Sequence, residues 1–168
     1  MTPVTLVHVV RHGEVHNPQK ILYGRLPGYH LSELGVKMAE RVAESFAGHD
    51  ITAVVSSPLE RAIQTATPMA AAFDLEISTD PRLIEAANHF EGLTFGVGDG
   101  SLRRPAHWPY LLNPFRPSWG EPYQQLAARM LAAVEAARRQ AAGHEVVCVS
   151  HQLPIWIMRS KVEGRRLW

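Results

Sequence analysis

The sequence is short of several things, and each shortage narrows what the chain can be. Among its 168 residues only Cys148 is a cysteine, so no intrachain disulfide can form. Its place inside an apolar run marks it as a buried structural thiol rather than a nucleophile, which fits a reducing cytoplasm. No apolar run approaches the ~20 residues that span a bilayer, and no basic region precedes an apolar core at the N-terminus. The chain therefore reads as soluble, cytoplasmic and without a membrane partner. Charge of neither sign is in excess, with 17 Lys and Arg against 16 Asp and Glu for a net +1. That balance argues against nucleic acid as a partner, and 46% apolar residues argue against disorder. Any anion site must be local. The length suits a single domain, expected over residues 1–168, with a full core.

What the chain does have is an apolar run, Leu6-Val7-His8-Val9-Val10, that stops abruptly in Arg11-His12-Gly13-Glu14. A β-branched run of this kind reads as a buried strand, and the carboxyl end of such a strand is where open α/β sheets put their active sites. The design recurs twice. Strand residues Ala53 to Ser56 lead into Ser57-Pro58-Leu59-Glu60-Arg61-Ala62, and Val146 to Val149 lead into Ser150-His151. Three strands thus deliver Arg11, His12, Arg61 and His151 to one edge. Guanidinium forks match phosphate oxygens, and cations near His12 disfavour its protonation and leave the imidazole nucleophilic. Such a cluster suits a phosphoryl group. His8, His12 and His16 are spaced by four, as metal ligands on a helix are, but a strand followed by a turn scatters those rings and no metal site is expected there.

Between these segments the pattern alternates. Ser32 is placed to cap a helix from Glu33 to Ala47 with Leu34, Met38, Val42 and Phe46 on its buried side. Pro58 fits the first turn of the helix that carries Arg61, and Pro68 is expected to kink or divide that helix. Ile77-Ser78 reads as a short strand. Residues 86–120 break pattern: Trp108, Tyr110, Phe115 and Trp119 are interleaved with Arg103, Arg104 and Arg116 among many glycines and prolines. Too aromatic for a flexible linker, this segment reads as an ordered lid whose arginines suit a second anionic group on a substrate. A helix follows from Pro122 to Gln140, its apolar side formed by Leu126, Met130, Leu131 and Val134. A last helix takes Ile155, Trp156, Ile157 and Met158 into the core.

Arg11-His12-Gly13 with Asn17, Ser57-Pro58-Leu59-x-Arg61-Ala62-x-Gln64-Thr65-Ala66, Leu83-x-Glu85 and Ser150-His151 resemble the four signatures of the histidine phosphatase superfamily, whose branches include the phosphoglycerate mutases. They occur in the right order between residue 4 and about residue 157. The resemblance implies an α/β fold, a three-layer α/β/α arrangement with a mostly parallel central sheet and a lid-like insertion at residues 86–120. It also implies a nucleophile at His12 that forms a phosphohistidine, and phosphate contacts from Arg11, Asn17, Arg61 and His151. Glu85 would be the general acid, with Glu14 as the fallback. Tyr23, Gly24, Arg25, Arg103, Arg104 and Arg116 are candidates for substrate recognition. The acid-phosphatase branch has an aspartate directly after the second histidine; Gln152 stands there in this chain, leaving the acid to Glu85. No metal or other cofactor is required.

Departures are the Gly120-Glu121-Pro122 sequence where the family usually has Gly-Glu-Ser, and Gln152-Leu153 in place of a Gly-rich pair. Similar family members continue with a further strand after the last helix, so the resemblance implies a domain lacking that strand. The activity expected is metal-independent hydrolysis of a small phosphomonoester. A phosphoglycerate mutase-type transfer is the alternative, ranked second because known phosphoglycerate mutases of this superfamily carry a longer insert between the acid and the second histidine. A non-catalytic phospho-ligand binder is the third reading, disfavoured because His12, both arginines, His151 and Glu85 are all kept.

Overall fold

In the computed structural model, which describes residues 4–94, 109 and 119–167, four parallel strands form one sheet. Strand β1 (Leu6–Arg11) is followed by helix α1 (Glu33–Ser45), β2 (Ile51–Ser56), α2 (Glu60–Ala72) and the short β3 (Ile77–Thr79). A 3-10 turn at Pro81–Leu83 leads toward the segment that follows Glu85, and α3 (Tyr123–Gln140), β4 (Glu145–Ser150) and α4 (Gln152–Val162) complete the order. The spatial order is β1-β4-β2-β3, so the last strand in sequence lies between the first two. In register, Val9 faces Cys148 and Arg11 faces Ser150 on one side of β4, while Ser56 pairs with Val149 on the other.

Two apolar layers flank the sheet because alternate strand residues point to opposite faces. Val146 and Cys148 of β4 pack with Ala53 and Val55 against Leu126 and Met130 of α3 and Ile157 of α4. Val147 and Val149, with Val54 of β2, pack instead against Ala62, Ala66 and Met69 of α2 and Phe46 after α1. The expected three-layer arrangement with a parallel sheet is therefore what the chain adopts.

Several local expectations are corrected. The first apolar run is an edge strand and half-buried along its length, because β4 is its one partner among the described residues. Helix α1 ends at Ser45, and its buried face is Gly35, Ala39 and Ala43 rather than Leu34 and Met38, which are exposed. The reason is distance. A Cβ on Gly35 would lie 2.0 Å from the Glu14 carbonyl oxygen, and one on Gly13 would lie 2.5 Å from the Gly35 carbonyl oxygen, so only the small-residue face can meet the loop after His12. Ser32 does cap this helix, its hydroxyl accepting from the Gly35 N–H. Helix α2 runs unbroken through Pro68, where the carbonyl left without a donor belongs to solvent-exposed Gln64. Pro58 lies ahead of that helix, whose N-cap is Leu59. In α4, Ile157 and Met158 are buried but Trp156 is exposed.

Because Gly35 is where α1 touches the loop behind His12, Gly35→Ala is expected to destabilise the fold by about 1–3 kcal/mol, the usual cost of overpacking. Thermal denaturation should read this as a fall of roughly 3–10 °C in Tm. An unchanged Tm would show that the helix can move away from the loop without cost.

Candidate active site

The carboxyl ends of β1, β2 and β4, three neighbours in the sheet, carry the polar residues singled out above. His12 directly follows β1 and is 5% exposed. Its backbone N–H donates to the Ser150 carbonyl at 3.1 Å, extending the β1–β4 ladder by one bond. Its side-chain Nδ1–H donates to the Gly13 carbonyl at 2.7 Å. That bond selects the tautomer and leaves Nε2 as the nitrogen with a lone pair. Burial pushes the His12 pKa down to about 4 against the Gly13 bond, and Arg61 and Arg11 push in the same direction as burial. Desolvation, more than the cations that the sequence suggested, keeps this imidazole neutral.

His151 follows β4, is fully buried, and its ring centroid is 5.1 Å from that of His12. It shares a 2.7 Å hydrogen bond between Nε2 and the Ser57 hydroxyl at the end of β2. Burial, then Arg61, brings its pKa down to about 2. Arg61, in the first turn of α2, is 1% exposed. It donates to the Gly24 carbonyl at 2.6 Å and lies over the Tyr23 ring, 4.7 Å from its centroid. Two buried nitrogens, Arg61 Nε and His151 Nδ1, have no hydrogen-bond partner among the described residues. Buried polar atoms are seldom left so, and such unmet capacity is what a bound anion would satisfy, although neither residue lines the cavity beside His12.

A cavity of about 530 Å³ opens beside His12. Arg11, His12 and Glu85 line it together with Tyr23, Gly24 and Gln152, and the aromatic side chains of Trp119, Tyr123 and Trp156 supply much of the remaining wall. Arg11 is exposed, and its side chain forms no hydrogen bond or ion pair with any described residue. Glu85 follows the 3-10 turn, which the Ser150 hydroxyl holds by donating to the Leu83 carbonyl at 2.7 Å. Burial raises the Glu85 pKa above the ordinary carboxyl value, outweighing the Ala86 N–H bond and the charges of Arg61, Arg129 and Arg11.

Three expected contacts are placed elsewhere. The Asn17 side chain donates to the Ile21 carbonyl and accepts from the Ile21 N–H, at 2.8 and 3.0 Å. Both ends of its amide are thus committed to shaping the loop, and it does not line the cavity. Arg25 does not line the cavity but binds two residues that do: its Nε donates to the Glu85 carbonyl at 2.7 Å and its Nη2 to Glu121 at 3.2 Å. Glu14 accepts from the Ser32 hydroxyl at the start of α1. Arg103, Arg104 and Arg116 lie outside the described residues. Of the lid-like segment, the two ends are described and meet at the cavity rim, where Asn88 bridges Gly120 and the His89 N–H donates to the Trp119 carbonyl.

The residues missed by sequence reasoning hold the others in place. Arg129 of α3 forms a bidentate pair with Glu121, Nε to Oε1 at 2.7 Å and Nη2 to Oε2 at 2.9 Å. It also donates to the carbonyls of Arg82 and Glu85, so Arg25 and Arg129 together grip the backbone at Glu85. Burial works against ionisation of Glu121, but the Arg129 bonds outweigh it and its carboxyl stays below the usual range. Thr65 accepts from the Gly13 N–H at 3.0 Å and donates to the Arg61 carbonyl, tying the first motif to α2. Helical spacing in α3 placed Arg129 on a polar side; nothing local to it signalled its partners. Pro122 starts α3 without a side-chain cap.

Comparison with known proteins agrees with this fold. A family profile described as the histidine phosphatase superfamily (branch 1) matches residues 7–168. An uncharacterized protein of Mycobacterium tuberculosis, Rv0525, is 61% identical over 168 residues, which cover all of this chain and 83% of that protein. A probable phosphoglycerate mutase, GpmB, of Yersinia pestis is 31% identical over 94% of this chain and 74% of its own length. The solved structure of mycobacterial glucosyl-3-phosphoglycerate phosphatase Rv2419c superposes with a TM-score of 0.75 at 26% identity, covering 95% of this chain and 79% of that one.

The two buried imidazoles make the fold acid-sensitive. Both bind a proton more weakly when folded than when unfolded, where the ordinary value is 6.5. Their contribution to stability is therefore complete above that value and is lost as pH falls, for His12 down to about 4 and for His151 down to about 2. The expected slope is about 1.4 kcal/mol per pH unit for each imidazole. NMR of the ring protons at pH 5.5 should find both neutral; a midpoint near 6.5 for His12 would contradict the burial argument.

Proposed function

The chain belongs to the histidine phosphatase superfamily, and we propose that within it the protein is a phosphatase that hydrolyses a small phosphomonoester through a phosphohistidine on His12. The observation that carries this reading is the state of His12: buried, neutral and oriented by the Gly13 carbonyl, with Nε2 remaining and a cavity beside it. In the first half-reaction His12 Nε2 attacks phosphorus while the ester P–O bond breaks on the opposite side. Glu85, its pKa raised, gives its proton to the leaving oxygen. In the second half-reaction water attacks the phosphohistidine, its proton returns to the Glu85 carboxylate, the N–P bond breaks, and inorganic phosphate leaves. Arg11, Arg61 and His151 stabilise the charge on the non-bridging oxygens throughout. No step calls for a metal or other cofactor.

The aromatic lining residues Tyr23, Trp119, Tyr123 and Trp156 favour hydrolysis of an ester with an apolar or aromatic alcohol portion. Among the described residues, Arg11 is the one Lys or Arg side chain that lines the cavity, because Arg25 and Arg129 are spent on Glu121 and the Glu85 carbonyl. A phosphoglycerate would need a further cation for its carboxylate. The relative named as a probable phosphoglycerate mutase supports the second reading, in which a second hydroxyl rather than water receives the phosphoryl group.

The test is phosphate release from a panel of alkyl and aryl phosphomonoesters by wild type, His12→Ala and Glu85→Gln. His12→Ala should abolish release. Glu85→Gln should lower kcat by roughly 10²–10⁴ on alkyl esters, which need the proton, and by much less on a nitrophenyl ester, which does not. With wild type, alkyl-ester turnover should decline as pH rises through the elevated Glu85 pKa and, on the acid side, hold until His12 protonates near about 4. No release from any ester, together with isomerisation of phosphoglycerate, would replace the phosphatase with the mutase.

A further inference from the structure

At the opposite end of the sheet from His12, a second group of histidines gathers around a carboxylate. His8 lies in β1, Glu145 is the first residue of the neighbouring β4, and His49 sits in the turn between α1 and β2. The Glu145 N–H donates to the Asp50 carbonyl at 2.9 Å, which draws that turn against the start of β4. As a result Glu145 Oε2 accepts from His8 Nε2 at 2.5 Å and from His49 Nδ1 at 2.8 Å. The regular spacing of His8, His12 and His16 in the sequence has no part in this. His8 finds its partner 137 residues away.

We propose that His8, His49 and Glu145 form a binding site for a divalent transition-metal ion, zinc above all. Two imidazoles and a carboxylate are a donor set suited to zinc and its first-row neighbours, whereas calcium and magnesium prefer oxygen alone. The three donor atoms lie within 4.8 Å of one another. Zinc holding such ligands at about 2.0–2.2 Å in a tetrahedron sets them roughly 3.3 Å apart, so Glu145 would part from each imidazole by under about 1 Å while the two imidazole nitrogens would close by at most about 1.5 Å. That movement needs only side-chain rotation, because the three residues stand on separate segments.

The rings are also held ready. The Phe46 ring meets His8 edge to face at 5.0 Å and His49 at 5.6 Å, and the two imidazoles are themselves perpendicular at 5.5 Å. Such packing limits the rotamers lost on coordination. Exposure is graded across the cluster: the Glu145 side chain is 17% exposed, His8 25% and His49 40%. The ion would enter past His49 and keep a fourth position open to water. Beside them, His144, one residue before Glu145, donates to Asp50, one residue after His49, at 2.7 Å, a second link that keeps the turn and β4 together without joining the donor set. A bound ion would cross-link β1, β4 and the α1–β2 turn, so its role is structural, and the phosphoryl chemistry would not pass through it.

The experiment uses chelator-stripped protein titrated with zinc by calorimetry and with cobalt by visible absorption, for wild type, His49→Ala and Glu145→Gln. One equivalent per chain should bind, with the intense ligand-field bands of four-coordinate cobalt. Either variant should weaken zinc binding at least tenfold. His49→Ala changes an exposed turn residue and Glu145→Gln keeps a hydrogen-bond acceptor, so at least one variant should remain folded. In wild type, zinc at a hundredfold excess over Kd should raise Tm by roughly 5–10 °C. Binding that does not saturate at one equivalent, or that is the same in both variants, would overturn the proposal and leave a hydrogen-bonded His–Glu–His cluster. Because binding is read directly, either result is independent of whether His12 is the nucleophile.

Discussion

The 2.7 Å hydrogen bond from His12 Nδ1 to the carbonyl of its neighbour Gly13 is the contact on which the rest of this site depends. It fixes which nitrogen is protonated and which way the ring faces, and it works only because Gly13 is itself immobile. The Gly13 N–H is bound by Thr65 of α2, and Gly35 of α1 approaches the same backbone too closely for any Cβ. The sheet brings in the second histidine: β4 runs between β1 and β2, so His151 arrives 5.1 Å from His12 and is anchored by Ser57. Packing, strand order and two glycines thus converge on one imidazole.

Charge in the site is divided by how it is spent. Arg61 is buried, holds the Tyr23–Gly24 loop, and keeps Nε unpaired. Arg11 is exposed at the cavity. Arg25 and Arg129 share the one carboxylate of Glu121 and grip the Glu85 backbone, so they act by positioning the carboxyl that would deliver the proton. Burial acts in opposite senses on the two kinds of group, holding His12 unprotonated and favouring the protonated form of Glu85. A neutral nucleophile and an acid with a raised pKa, lining one cavity, suit a dianionic ester.

Much of this was legible in the sequence because it rests on strands that end in polar motifs. The abrupt stops after Val10, Ser56 and Val149 located three strand ends, and the motifs there named His12, Arg61 and His151 before any coordinates. What was not legible depends on contacts between distant segments. Asn17 and Arg25 sit in the first motif's loop, yet whether such side chains turn toward a ligand or toward Ile21 and Glu121 is decided by tertiary neighbours. Arg129 had no local signal at all. The period of four in α1 chose Leu34 and Met38 over Gly35 and Ala39, since large apolar residues dominate a pattern even where close backbone approach selects small ones. Likewise His8 appeared to belong with His12 and His16, when its partners come from the far end of β4 and the turn before β2.

On the proposed reading, His12 Nε2 becomes covalently bonded to phosphorus during turnover. The most direct measurement is to mix the protein with a reactive aryl phosphate, quench in base within one turnover, and locate the phosphoryl group by peptide mass spectrometry and ³¹P NMR. A phosphohistidine on Nε2 of His12, absent from His12→Ala, is the predicted result. Phosphate release without any protein-bound phosphoryl group, or a phosphoryl group on another residue, would contradict it.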